Sequence, residues 1–192
     1  MNDVWTALLV VIVSYALGSI AGAYYVVKSF LKKDIRDMGS GNAGATNAGR
    51  ALGKKGFLLT LAVDACKVWL ALFVTNLLGD GREIFLILSS LFLLLGHLFP
   101  IQLRFHGGKG VVVYLAAALF LEPVTILVMG FTMGVIYLLT RKYTPAGFLS
   151  MATIPFTAWM TGDSFIVSAG LLLLLLIVII SHTQLFFHHA QS

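Results

Sequence analysis

Residues 111–161 read VVVYLAAALFLEPVTILVMGFTMGVIYLLTRKYTPAGFLSMATIPFTAWMT, and the number of helices in this stretch decides the fold. Two interruptions divide it. Proline lacks a backbone N–H and disfavours helix in the residue before it, so Glu122-Pro123 ends one helix. Arg141-Lys142-Tyr143-Thr144-Pro145 ends the next. The reading is therefore three helices, 111–121, 124–140 and 146–161, of which the first is short for a full crossing. On either side, the stretches 4–27, 57–78, 84–103 and 164–181 meet or approach the roughly 20 apolar residues that cross a roughly 30 Å hydrocarbon core. The expected fold is an all-α integral membrane protein. It is a bundle of seven transmembrane helices in one polytopic domain, 1–192.

Composition supports a membrane protein. Of the 192 residues, 59% are apolar and 11% charged, against roughly 25% charged in an average soluble domain. Mean hydropathy is +0.95. These figures exclude a disordered chain, a disulfide scaffold and a cytosolic enzyme. The single cysteine, Cys66, rules out an internal disulfide and reads as a small buried hydrophobe. Met1-Asn2-Asp3 offers no basic region ahead of the first apolar run, so that run reads as retained rather than cleaved.

Charge sets the orientation. With the N-terminus outside, the inner loops hold Lys28, Lys32, Lys33, Arg36, Arg50, Lys54, Lys55, Arg104, Lys109, Arg141 and Lys142, eleven of the thirteen basic residues. Arg82 falls outside and Lys67 within a span. Asp3, Asp80, Glu83, Glu122 and Asp163 all land outside. A lopsided Lys/Arg distribution is the strongest sequence signal of topology. Fusing 111–140 into one helix would export Arg141 and Lys142, so seven spans are preferred to six. The C-terminus is then cytoplasmic. The net charge of +5 describes a cytoplasmic face beside anionic lipid, with no nucleic-acid partner implied.

Glycine marks the loops that carry this charge. In Gly39-Ser40-Gly41-Asn42-Ala43-Gly44-Ala45-Thr46-Asn47-Ala48-Gly49-Arg50, glycines let the backbone turn successive N–H groups one way, which makes an anion-binding nest. Ser40, Asn42, Thr46 and Asn47 add short polar groups, and Arg50 a planar fork suited to phosphate. A second inner junction, Gly96-His97-Leu98-Phe99-Pro100 followed by Arg104-Phe105-His106-Gly107-Gly108-Lys109-Gly110-Val111, runs into a helix whose positive end favours anions. It is not a Walker A loop, since the earlier glycine and the Ser or Thr after Lys109 are missing. Asp64 and Lys67, three residues apart on one face of the second span, read either as a neutralised structural pair or as part of a functional path. The structural reading is preferred. His97 reads as a packing histidine before a catalytic base. No histidine has a carboxylate four or five residues on, and no His/Asp/Glu cluster resembles a metal site. His188-His189 reads as a solvated tail.

Assembled, these residues resemble the bacterial acyl-phosphate-dependent glycerol-3-phosphate acyltransferases. The resemblance runs through Gly18-Ser19-Ile20, the 39–50 motif, Asp64-x-x-Lys67, Gly96-His97-x-x-Pro100 and Phe105-x-Gly107-Gly108-Lys109-Gly110-Val111. The 39–50 motif is the long and specific part. The resemblance implies a seven-helix inner-membrane enzyme with its active site on the cytoplasmic face. It implies transfer of a fatty acyl group from acyl phosphate to the 1-position of sn-glycerol 3-phosphate, giving lysophosphatidate and phosphate, the first acylation of phospholipid synthesis. Ser40, Arg50 and Lys109 match catalytic positions. Gly39, Gly41, Asn42, Thr46, Asn47, Gly107, Gly108 and His182 are expected to bind substrate or phosphate, with Asp64, Lys67 and His97 in support. No metal or other cofactor is implied.

The chain departs from the family pattern in three places. Leu185 stands where an Asn follows the C-terminal His, with no acid beyond it, and Val68 stands where Gly follows Lys67. Tyr143-Thr144-Pro145-Ala146 replaces a Tyr-x-Ser-Leu stretch. Two other readings remain: a diverged paralogue that binds a phosphorylated lipid or polyol without turnover, and a small-solute transporter.

Overall fold

The computed structural model describes residues 2–161 and 164–189, with side chains to residue 183. Asp163, which the charge argument places outside, lies beyond the described residues, as do the side chains of Leu185, His188 and His189. Within the described residues the chain is helical and contains no strand. The helices are α1 (Asp3–Gly18), α2 (Gly22–Leu31), α3 (Ala45–Leu78), α4 (Glu83–Leu98), α5 (Val111–Leu121), α6 (Pro123–Thr140), α7 (Tyr143–Met151), α8 (Thr153–Met160) and α9 (Phe165–His189). Short 3₁₀ turns occupy Ile35–Asp37 and Ile101–Leu103. Five segments are long and apolar enough to cross a membrane: Asp3–Leu31, Ala45–Leu78, Glu83–Leu103, Pro123–Thr140 and Phe165–Thr183.

The 111–121 and 124–140 readings hold to within a residue, and the helix break sits at Glu122-Pro123. Pro123 opens α6, where its missing N–H costs nothing. The other boundaries move. Segment 4–27 is broken between Gly18 and Gly22. The 57–78 span is the second part of a helix that begins at Ala45 and bends at Gly53, where φ 67° and ψ −158° leave helical geometry. The 84–103 helix stops at Leu98, ahead of Pro100. The 146–161 span starts earlier, at Tyr143, because Pro145 sits in the first turn, where proline is tolerated. It divides at Ala152. Pro155 explains the division: it offers no N–H to the Met151 carbonyl, and its ring crowds that carbonyl.

The main core gathers Val68, Leu72, Leu93, Leu94, Tyr114, Ile154, Leu171 and Leu174 from α3, α4, α5, α8 and α9. A buried Ser14–Ser89 hydroxyl pair (2.7 Å) joins α1 to α4. A second, small core of Ala23, Val27, Ile35, Ala43 and Ala48 seats the start of α3 on α2 and the first 3₁₀ turn. The outer faces are greasy. Leu127, Phe131 and Leu139 of α6 are 73–80% exposed, a surface that water would not tolerate and acyl chains would. Cys66 is exposed on α3, beside the outward-facing Trp69 and Leu70. It is therefore not the buried hydrophobe expected from its apolar surroundings, since in a membrane span an apolar run faces lipid as readily as protein.

Candidate active site

The break between α1 and α2 exposes backbone groups that a membrane bundle has to satisfy internally. Lys67 and Asp64 do so. Lys67 Nζ donates to the carbonyls of Gly18 (3.1 Å) and Ile20 (2.6 Å) at the end of α1. Asp64 Oδ1 accepts the N–H of Gly22 (3.3 Å) at the start of α2. The two side chains pair at 2.8 Å and are almost fully buried. His97 Nδ1 lies 2.9 Å from Lys67 Nζ, and Gln102 donates to the Ser19 carbonyl. The pair is thus a staple across a broken span.

The 39–50 loop is held from inside by Asn47. Its amide Nδ2 donates to the carbonyls of Met38 (2.8 Å), Asn42 (3.1 Å) and Ile35 (3.2 Å), and its Oδ1 accepts the Ser40 N–H (3.1 Å). Gly39 and Gly41 adopt φ +56° and +68°, so their contribution is the turn itself. Arg36 fixes the loop to the second junction. It grips Asp34 through Nε and Nη2 and donates from Nη1 to the Leu103 carbonyl (2.7 Å). Its guanidinium holds the Asp34 carboxyl below the usual carboxylate range. The Ala43 N–H also donates to the Gly107 carbonyl (3.4 Å).

The glycine pair in that junction does not present its N–H groups to a ligand, as its resemblance to a phosphate loop implies. Gly107 donates to Leu98 O and Gly108 to His97 O (3.0 Å each), closing the end of α4. A Cβ at Gly108 would collide with the His97 ring. The two glycines pack the loop under α4. Beyond them Gly110 takes φ +80° and opens α5, whose first-turn N–H groups have no intrahelical acceptor.

These elements enclose a cavity of about 640 Å³. Of the residues expected at the site, Ser40, Asn42, Thr46, Asn47, Arg50, Asp64, His97, Lys109 and His182 all line it. Gly39, Gly41, Gly107, Gly108 and Lys67 stand behind the lining. Asn47 lines it but has its amide committed to the loop, so it organises the site rather than offering a side chain to a ligand. Lys109 is half-buried; burial first, and then the nearby Arg50 guanidinium, pushes its ammonium below the ordinary lysine range. A phosphate beside the two cations would relieve their mutual repulsion. His182 meets the Phe148 ring edge-on at 4.5 Å. Among the described residues no three His, Cys, Asp or Glu side chains come together to hold a metal.

Sequence reasoning missed the apolar wall, Phe57, Leu61, Val111, Val112 and Leu115, and Thr144 at the start of α7. A signal for part of the wall was available. Residues 57, 61 and 64 recur at helical spacing, so Phe57 and Leu61 share the face of Asp64.

Comparison with known proteins places this arrangement in context. The family model for glycerol-3-phosphate acyltransferase matches residues 8–189. Glycerol-3-phosphate acyltransferase 1 of Desulfitobacterium hafniense is 38% identical over 164 residues, 85% of this chain and 81% of the relative. Glycerol-3-phosphate acyltransferase 2 of Bacillus anthracis is 43% identical over 136 residues, covering 71% and 70%. The crystal structure of PlsY (YgiH), an integral membrane glycerol 3-phosphate acyltransferase in its glycerol 3-phosphate form, superposes with a TM-score of 0.83 at 28% identity, covering 96% of this chain and 92% of that one. Its lysophosphatidic acid form gives 0.82. From the sequence motifs through the helical fold to these likenesses, the chain belongs to the glycerol-3-phosphate acyltransferase family and is a multi-pass membrane protein.

Proposed function

We propose that the protein transfers a fatty acyl group from acyl phosphate to the 1-position of sn-glycerol 3-phosphate, forming lysophosphatidate and releasing phosphate. The acceptor hydroxyl oxygen bonds to the acyl carbon, the bond from that carbon to the phosphate oxygen breaks, and the hydroxyl proton and phosphate leave. One observation carries this reading. Arg50, Lys109 and the first turn of α5 border the same cavity as the apolar Phe57, Leu61 and Leu115. Two anions and a greasy chain fit such a lining together. Acyl phosphate is already activated, so positioning and electrostatic stabilisation supply what the reaction needs from the protein. Ser40, Arg50 and Lys109 act on the reacting groups, with Asn42, Thr46 and His182 as further binding residues.

In the membrane the chain makes seven crossings as one domain, with α7 and α8 together forming a single broken span and α5 a short one. Its N-terminus is outside, its C-terminus is inside and the cavity opens to the cytoplasm of the inner membrane. The basic residues of the inner loops support this orientation. The reaction needs no metal, ATP or coenzyme A. Purified protein given glycerol 3-phosphate in EDTA should therefore make lysophosphatidate from acyl phosphate and none from acyl-coenzyme A. Restoration of activity by a specific divalent ion after chelation would overturn the metal-free reaction, and preference for the thioester would overturn the donor assignment.

A further inference from the structure

Behind Arg50 and Lys109, the cavity wall is made by two buried side chains that a phosphate reading leaves unused. Asp64 and His97 are 1% and 3% exposed, and both line the cavity. Lys67 fixes how they face it. An ammonium has only donors. His97 Nδ1, 2.9 Å from Lys67 Nζ, is therefore the acceptor, and the ring proton resides on Nε2. That nitrogen lies against Gly108, where any side chain would strike it. Asp64 Oδ1 is occupied by Lys67 and by the Gly22 N–H. Asp64 Oδ2 and His97 Nε2 make no hydrogen bond to protein among the described residues. One acceptor and one donor are thus left on two cavity-lining side chains that approach to 3.8 Å, His97 Nδ1 to Asp64 Oδ1.

We infer that Asp64 Oδ2 and His97 Nε2–H bind the acceptor's non-reacting hydroxyl, the 2-hydroxyl of glycerol 3-phosphate. A hydroxyl is donor and acceptor at once, so it gives its hydrogen to the carboxylate and takes one from the imidazole. A phosphate fits this corner poorly, because its oxygens and Asp64 Oδ2 are all acceptors with no proton to share; the corner thereby leaves the phosphates to Arg50 and Lys109 and takes the carbinol. Lys67 is a positioning residue: it neutralises Asp64 and sets the His97 tautomer. This assignment rests on the reading of glycerol 3-phosphate as acceptor and adds which residues select it.

The test compares glycerol 3-phosphate with 3-hydroxypropyl phosphate, which keeps the reacting hydroxyl and the phosphate but lacks the 2-hydroxyl. Sites built to bond a hydroxyl reject analogues without it, so the wild type should favour glycerol 3-phosphate by at least about tenfold in kcat/KM. His97→Gln places an amide N–H near the position of Nε2 and should keep the preference. His97→Asn places its amide near Nδ1 instead and should lose it through KM for the acceptor, with KM for acyl phosphate unchanged. In the wild type, ¹⁵N spectra of His97 should show the Nε2–H tautomer. A wild type indifferent to the 2-hydroxyl, equal preference in both variants, or an Nδ1–H tautomer would overturn the inference. Where the wild type makes no lysophosphatidate, the acyl-transfer reading falls on its own. The same ratio, read as Kd by calorimetry, then decides the hydroxyl site.

Discussion

Arg50 and Lys109 border one cavity but offer phosphate different things. The guanidinium is a rigid planar fork and the ammonium a compact point charge. Arg50→Lys keeps the charge and loses the paired geometry, so it should lower kcat/KM by at least about tenfold, the equivalent of about 1.4 kcal/mol. If Arg50 only set topology, the same change would be silent. Lys109 adds a pH signature. Its ammonium is already pushed down by burial and by Arg50, and only the protonated form holds an anion. Activity should therefore be constant at lower pH and fall as pH rises through a value below the ordinary lysine pKa of about 10.4. Arg50→Gln should move that alkaline limb to higher pH, and Lys109→Arg should abolish it. A limb unchanged in both variants assigns the titration to another group. Types and spacing made these two residues readable in the sequence. The role of Asn47 was not, because its hydrogen bonds close the loop only once the loop has folded. Asn47→Ala leaves several loop carbonyls and the Ser40 N–H without their partner, and should cost about 1–3 kcal/mol in detergent unfolding.

Among the elements, the breaks matter more than the spans. Apolar length announces a membrane helix but is blind to a fracture inside it, so 4–27 reads as continuous although residues 19–21 separate two helices. The staple across that fracture, Lys67 on the carbonyls of Gly18 and Ile20 and Asp64 on the N–H of Gly22, explains why an ion pair sits inside a span. Lys67→Met should lower stability by about 3–5 kcal/mol, because it strands a buried carboxylate. The double change Asp64→Asn/Lys67→Met should recover part of that loss. Equal stability of Lys67→Met and wild type would remove the staple. At Gly53 the surroundings leave room for a Cβ, yet φ 67° and ψ −158° belong to a region that only glycine enters readily. Gly53→Ala should therefore cost about 1–3 kcal/mol through backbone strain alone. The polar stretch 45–52 hid the start of α3 from a reading based on hydropathy. The Pro123 break, by contrast, was legible because proline acts locally.

For the whole molecule, the signals that survive without tertiary structure are composition and the one-sided placement of Lys and Arg, and both point to a multi-pass bundle. The cavity is a product of assembly: α3, α5, α7, α9 and the 39–44 loop each bring residues to it, and no local pattern shows which apolar faces close around it. Orientation can be checked independently of activity. In a Cys66→Ala background, a membrane-impermeant maleimide applied to intact cells should label Asn2→Cys and spare Lys33→Cys. The reverse pattern would put the glycine loops outside.

The cavity's role in acyl transfer is tested most directly by turnover in purified protein. Wild type supplied with acyl phosphate and glycerol 3-phosphate should form lysophosphatidate and phosphate in equal amounts. Arg50→Ala and Lys109→Ala, each removing a charge-assisted contact of roughly 1.5–3 kcal/mol, should insert normally and lose at least about tenfold in kcat/KM. Near-wild-type turnover in both variants would contradict the account.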